Sequence, residues 1–249
     1  MKFRYILPPY SLSEPDILAF VLIPLVLVAL FGWAVYYSWR QAGETSANSR
    51  RTALLVVVAA AAWMAATWTL ANRGVLLEPG PPPPIALMLV GVITLACLIA
   101  FGRIGTRVAR YLPLWALVGV QAFRLPLELV MHQLAERGIM PPQMSYSGRN
   151  WDILTGASAI LVGLLLWADF GGRKLVWVWN VAGLALLANI LAIAVLSLPQ
   201  FQYFGPMRVN VFVMLTPFVW LPAVMVLAAL AGHLVIFRAL RTVNTEPEL

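Results

Sequence analysis

Runs of about twenty consecutive apolar residues constrain a fold more than any other sequence feature, because a helix of that length satisfies its own backbone hydrogen bonds while crossing the ~30 Å hydrocarbon core of a bilayer. Seven such runs follow one another here: 17–39, 52–70, 84–101, 111–135, 151–170, 175–198 and 209–240. Composition agrees, with 61% hydrophobic and 11% charged residues, where soluble domains hold roughly 45–50% and about 25%. The expectation is an all-α bundle of seven transmembrane helices. It forms a single transmembrane domain over 1–249, since the longest segment between runs is a loop of roughly 15 residues, too short for a domain.

Ser13-Glu14-Pro15-Asp16 combines a serine cap, an early proline and an acidic third position, and so marks the start of the first helix. That run is too long for a signal peptide and lacks a small-residue cleavage site, so it reads as a retained span. Cys97 lies midway along the third run and has no second cysteine to pair with.

Basic residues choose the orientation. Arg40, Arg50, Arg51, Arg103, Arg107, Arg110, Arg173, Lys174, Arg238 and Arg241 flank one side; Lys2, Arg4, Arg73, Arg137, Arg149 and Arg208 flank the other. Ten against six predicts an outside N-terminus and an inside C-terminus. The net charge of +7 is spread along span ends and not gathered into one patch, which points to anionic lipid headgroups and away from nucleic acid. The ten tryptophans read mostly as interfacial anchors. Spans two and three are rich in small residues, as at Ala59 to Ala62 with Ala65 and Ala66, which suits close helix packing and makes them the candidate face for a membrane-protein partner.

The fourth run carries Gln121, Arg124, Glu128 and His132. At ~100° per residue all four fall within an arc of roughly 80°, forming one polar stripe. Arg124 falls near the bilayer centre and His132 some 12 Å further out, at ~1.5 Å per residue. Charges at that depth are costly and face the bundle interior with partners. The i,i+4 spacing lets Arg124 and Glu128 pair with each other. Pro126 between them frees the carbonyl of Ala122 and bends the helix. Asn150 and Asp152, entering the fifth span, can cap its first turn, or Asp152 can reach Arg124 or His132. Asn180 and Asn189 stand on opposite faces of the sixth span, Asn189 at the depth of the stripe and Asn180 nearer the inside. His233 falls towards the inner end of the seventh. Pro217 and Pro222 predict a kinked or unwound helix there, tolerated where freed carbonyls are buried in protein or face water.

Several chemistries are excluded by residue type. Lys2 and Lys174, the only lysines, both fall outside the membrane core, so a retinal Schiff base has no partner. His132 and His233 fall towards opposite sides, so they cannot ligate one haem. One cysteine and two histidines do not assemble a zinc site, so no metal is implied, and the cofactor stays open.

The pattern Gln121-x-x-Arg124-x-x-x-Glu128, then Gly148-x-Asn150-x-Asp152-Ile153, Trp179-Asn180, Leu196-Ser197-x-Pro199 and Pro217-Phe218 resembles a family of poorly characterised multi-spanning bacterial membrane proteins. The resemblance covers about Pro113 to Arg238 and implies placement in a bacterial inner membrane, with no activity or substrate. Three readings stay open. The first is a small-molecule or proton-linked transporter or ligand-binding protein, using Arg124, Glu128, His132, Asp152, Asn150, Gln121 and Asn189, with Arg124 holding an anionic group. The second is an enzyme acting on a lipid or isoprenoid, reached through a lateral opening between spans four and five. The third is a noncatalytic assembly subunit.

Overall fold

The computed structural model describes residues 7–242 and is all-α. Lys2 and Arg4 lie outside the described residues. α1 (Pro15–Gln41) and α2 (Ser46–Asn72) form an antiparallel hairpin. α3 (Pro84–Phe101) returns across the bundle to α4 (Arg103–Tyr111), a short amphipathic helix. α5 (Leu114–Gly119) runs through a 3₁₀ turn (Val120–Phe123) into α6 (Arg124–Glu136). α7 (Ile153–Trp167), α8 (Arg173–Leu196), a π-helical segment (Leu221–Val226) and α9 (Leu227–Thr242) complete it.

Long-range polar contacts fix which helix ends lie together. At the face where α1 begins, Arg137 after α6 pairs with Glu14 and Asp16, and Tyr10 donates to the Thr216 carbonyl at 3.0 Å. At the opposite, far face, Arg107 of α4 pairs with Glu44 of the α1–α2 loop at 2.9 Å, and Arg238 of α9 donates to the Ala100 carbonyl at 2.5 Å. The first α1 residues and the last α9 residues therefore sit at opposite faces.

Among the described residues, six helical segments are long and apolar enough to cross a bilayer: 15–41, 46–72, 84–101, 114–136, 173–196 and 221–241. The chain is a multi-pass membrane protein. The remaining expected span, 151–170, is helical only over the 15 residues of α7, roughly 22 Å at 1.5 Å per residue and short of the hydrocarbon thickness. The fourth span starts at Leu114 and not Tyr111, because Pro113 caps α5 while Tyr111 closes α4. The expected seventh span, 209–240, becomes continuous helix only from Leu221; the chain before it makes a 3₁₀ turn at Phe212–Met214 and irregular backbone. Ser13 is not the first cap: Glu14 holds that position without a side-chain cap bond, and α1 opens on Pro15.

The short α7 and late-starting seventh span have a common consequence. Their preceding segments sink into the protein, with Ile139, Met140, Gln143, Met144 and Asn150 of one, and Val209 to Met214 of the other, all buried. Irregular backbone at such depth survives only when buried in protein. Two large apolar cores result, one nearer the α1-start face around Phe20, Met131 and Phe218, and one nearer the far face around Val118, Ala159 and Ile236, beside a small cluster of Met64, Ala223 and Val224. Between the two large cores lies a polar layer.

Candidate functional site

Arg124 opens α6 directly after the 3₁₀ turn. Pro126 cannot donate to the Ala122 carbonyl, and the tighter turn falls over those same residues. Arg124 is 1% exposed, so its guanidinium needs partners inside the protein. Nε donates to Asp152 Oδ2 at 2.6 Å, and Nη2 donates to Asp152 Oδ1 in a bidentate pair. The third nitrogen, Nη1, lies 2.9 Å from His233 Nε2.

That contact fixes the histidine tautomer. A guanidinium only donates, so His233 Nε2 accepts and the ring proton sits on Nδ1. Nδ1 in turn donates to Asn180 Oδ1 at 2.7 Å, and Asn180 Nδ2 donates to the His233 carbonyl at 3.0 Å. His233 is thus a neutral ring held from both ends. Gly183 makes room for it, since a Cβ there would stand 2.7 Å from His233 Cε1 and 3.0 Å from Thr155 Cγ2. Gly156 performs the same service for α7 against α6, where a Cβ would strike the backbone of Leu125 and Arg124.

Asp152 occupies the capping position of α7, yet its carboxylate does not cap the backbone. It is turned to Arg124 and accepts a further bond from Thr155 Oγ1 at 3.2 Å. Asn150 Oδ1 takes the Asp152 N–H at 3.1 Å, and Asn150 Nδ2 donates to Glu128 Oε2 at 2.7 Å and to the Met144 carbonyl at 3.0 Å. Glu128 is 2% exposed. Its Oε1 accepts no hydrogen bond among the described residues.

The sequence expectation of an Arg124–Glu128 pair is corrected by this geometry. Arg124 takes Asp152, because two parallel bonds to one carboxylate suit the guanidinium fork better than a partner one turn along the same helix. The alternative reach of Asp152 to Arg124 is the one observed. The stripe also divides. Arg124, Glu128, Asp152 and Asn150 come together in one buried cluster. Gln121 points to α9, where Nε2 donates to the Ala229 carbonyl at 3.2 Å and Oε1 is buried without a partner. His132 stands apart at the α1-start face, with Nδ1 2.9 Å from Ser145 Oγ, Nε2 3.4 Å from Glu136 and its ring over Tyr146. Asn189 is exposed and donates to the Arg149 carbonyl at 2.9 Å, so it does not join the stripe.

His233 and Asn180 are the residues that sequence reasoning placed outside the site. His233 seemed near the inner end only when its span was counted from residue 209. Counted from Leu221, it lies roughly 18 Å in, near mid-helix. The signal was the Pro217/Pro222 pair, which delays the start of the helix.

A cavity of about 70 Å³ adjoins the cluster, lined by Glu128, Arg124, Asp152 and Asn210 among apolar side chains that include Leu127, Leu187 and Met225. It has room for a few water-sized groups. Asn210 is 1% exposed; its Nδ2 donates to the Ala194 carbonyl at 3.2 Å, and its Oδ1 is buried without a partner. No group of three or more metal-ligating side chains occurs among the described residues.

A family model described as Domain of unknown function (DUF8737) matches residues 82–241. The chain belongs to the DUF8737 family. No curated protein and no solved structure matches it. The DUF8737 match runs from just before α3 to the end of α9 and contains every residue of the polar cluster, along with the whole of the segment that carried the sequence resemblance; α1 and α2 precede it.

Proposed function

We propose that this protein binds a small molecule within the bilayer and that Glu128 exchanges a proton as it does so, an arrangement that serves proton-linked transport. One observation carries the reading: Arg124 is already neutralised by Asp152, leaving Glu128 as a buried carboxyl on a cavity wall with one oxygen unpaired. A carboxyl in that setting has two stable resolutions, a proton or a cationic or hydrogen-bonding ligand. The site lies on α6, α9 and the entry to α7, within a single transmembrane domain. A lipid enzyme working between spans four and five is less well supported, since α5 and α6 pack tightly on α7 at Gly156 and Gly163. The docking face of an assembly subunit would be on α2 and α3, where Leu54, Leu55 and Val58 of the first and Leu87, Val90 and Leu98 of the second are exposed.

The α1-start face is the outer one on this reading, and the membrane a bacterial inner membrane, as the arginine distribution and the family resemblance suggest. Reporter fusions at the 42–45 and 137–152 loops test the orientation. Infrared titration of the protein in lipid nanodiscs tests the site. A carboxyl band that grows on acidification and vanishes in a folded Glu128→Gln variant is the expected result; an unchanged band in that variant removes Glu128 from the proposal.

A further inference from the structure

The cavity beside Glu128 does not end at the polar cluster. An apolar recess lined by Pro83, Ala86 and Leu89 on the α3 side and by Val195, Leu198 and Phe201 on the α8 side meets it, sharing Leu89, Val195 and Leu198. α3 packs on α9 and α4, and α8 packs on α9, but α3 and α8 are not closely packed on each other. Through these shared residues the two cavities adjoin as a slot between α3 and α8, from the α1-start face to Glu128. From Leu187 to Leu198 it follows α8 for roughly 16 Å at 1.5 Å per residue.

The chemistry of the inner end selects the occupant. Arg124, Asp152 and Glu128 are the charged side chains on the wall, and the α3 and α8 sides contribute none. Arg124 and Asp152 cancel, and His233 behind Arg124 is neutral by its tautomer, so the carboxylate form of Glu128 is the uncompensated charge. On the wall of the inner cavity, Asn210 Oδ1 is buried without a partner and the Glu128 carboxyl takes its hydrogen bond from Asn150 on Oε2; both groups present acceptors, and the Gln200 amide stands at the outer recess. An anionic head would meet a carboxylate and an amide oxygen, while three of the five guanidinium N–H groups are already directed at Asp152 and His233.

Resting on the reading of Glu128 above, we propose that the slot takes a single-chain amphiphile with an ammonium head. It enters from the bilayer between α3 and α8, lays its chain along Leu89, Leu191 and Val195, and donates N–H bonds to Glu128 and Asn210. Glu128 holds either a proton or the ammonium group. Binding of R–NH₃⁺ to the protonated carboxyl releases one proton and leaves the carboxylate–ammonium pair, so charge in the site is unchanged.

The test uses the whole protein in phosphatidylcholine nanodiscs and a long-chain primary amine carrying a photoreactive diazirine in its chain, with the fatty acid of equal length as comparison. Crosslinks from the amine are expected on the α3 and α8 peptides of the slot, falling at least about tenfold, or ~1.4 kcal/mol, in Glu128→Gln and falling as the buffer is acidified. Val195→Trp, which fills the slot away from the polar cluster, is expected to abolish them, which keeps the test intact if Glu128→Gln misfolds. Equal or stronger labelling by the fatty acid, or labelling indifferent to Val195→Trp, overturns the proposal. An infrared band assigned to Glu128 together with no amine labelling overturns the amphiphile while leaving proton binding standing; loss of both overturns both.

Discussion

Replacing Asp152 by Asn removes the carboxylate that is hydrogen-bonded to the buried Arg124 guanidinium. Both members of the pair are nearly sealed, with side chains 1% and 6% exposed, so solvent cannot take over the role of the lost carboxylate. Breaking a buried pair by removing one partner costs about 3–5 kcal/mol. For a protein of this size, each kcal/mol lowers the unfolding midpoint by about 2–4 °C, so the expected loss is roughly 6–20 °C, read from tryptophan fluorescence of the protein in nanodiscs. Arg124→Met is expected to cost less, because a stranded carboxyl can neutralise itself by taking a proton while a guanidinium cannot. The double variant Arg124→Met/Asp152→Leu is expected to recover most of the loss, since apolar replacement of both partners of a buried pair is often neutral. A loss below about 1 kcal/mol for Asp152→Asn, in the range of exposed pairs, refutes the claim that this pair is buried. A double variant as unstable as the sum of the singles refutes the claim that they act on each other.

Other residues give independent checks. Gly183→Ala drives a methyl against His233 Cε1 and Thr155 Cγ2; an overpacking loss of about 1–3 kcal/mol is expected, together with a shift in the His233 ring resonances. Trp63→Phe removes the indole donor that meets the Ala223 carbonyl at 2.9 Å and is expected to cost about 1–3 kcal/mol, the penalty of a buried acceptor left unsatisfied, in the same thermal assay. The Glu44 carboxyl is held below its ordinary 4.5 by its hydrogen bond from Arg107, then by that from Asn48. A depressed folded-state value stabilises above 4.5 and is lost as pH falls through the folded value, so Arg107→Ala is expected to flatten the acid limb of the unfolding midpoint against pH.

The helices were legible because hydrophobic length is a local property. α1, α2, α3 and α8 agree with the expected spans to within a few residues at most ends, while α5–α6 begins a turn late behind Pro113. What a span count cannot read is depth. α7 is too short to reach both surfaces, so Asp152 starts its helix inside the protein and becomes a partner for Arg124, while the capping role assigned from sequence is left empty. The same blindness misplaced His233. Angular position on a helix was read well for Arg124 and Glu128, but a shared face does not guarantee a shared neighbour. Gln121 meets α9, Arg124 meets α7 and His132 meets the buried loop at Ser145, because the 3₁₀ turn and the length of the stripe spread it over three different surfaces.

The π-helical segment that opens the last span leaves carbonyls outside the regular ladder, and two indoles join this region to α2: Trp63 donates to Ala223, and Trp220 donates back to the Met64 carbonyl at 3.1 Å. Trp63 precedes the family-matched region, and its acceptor lies 160 residues later in the chain. During synthesis the α1–α2 hairpin therefore reaches the membrane long before the segment it braces. The earlier-made hairpin serves as a waiting template for this later segment, which settles only when it arrives there.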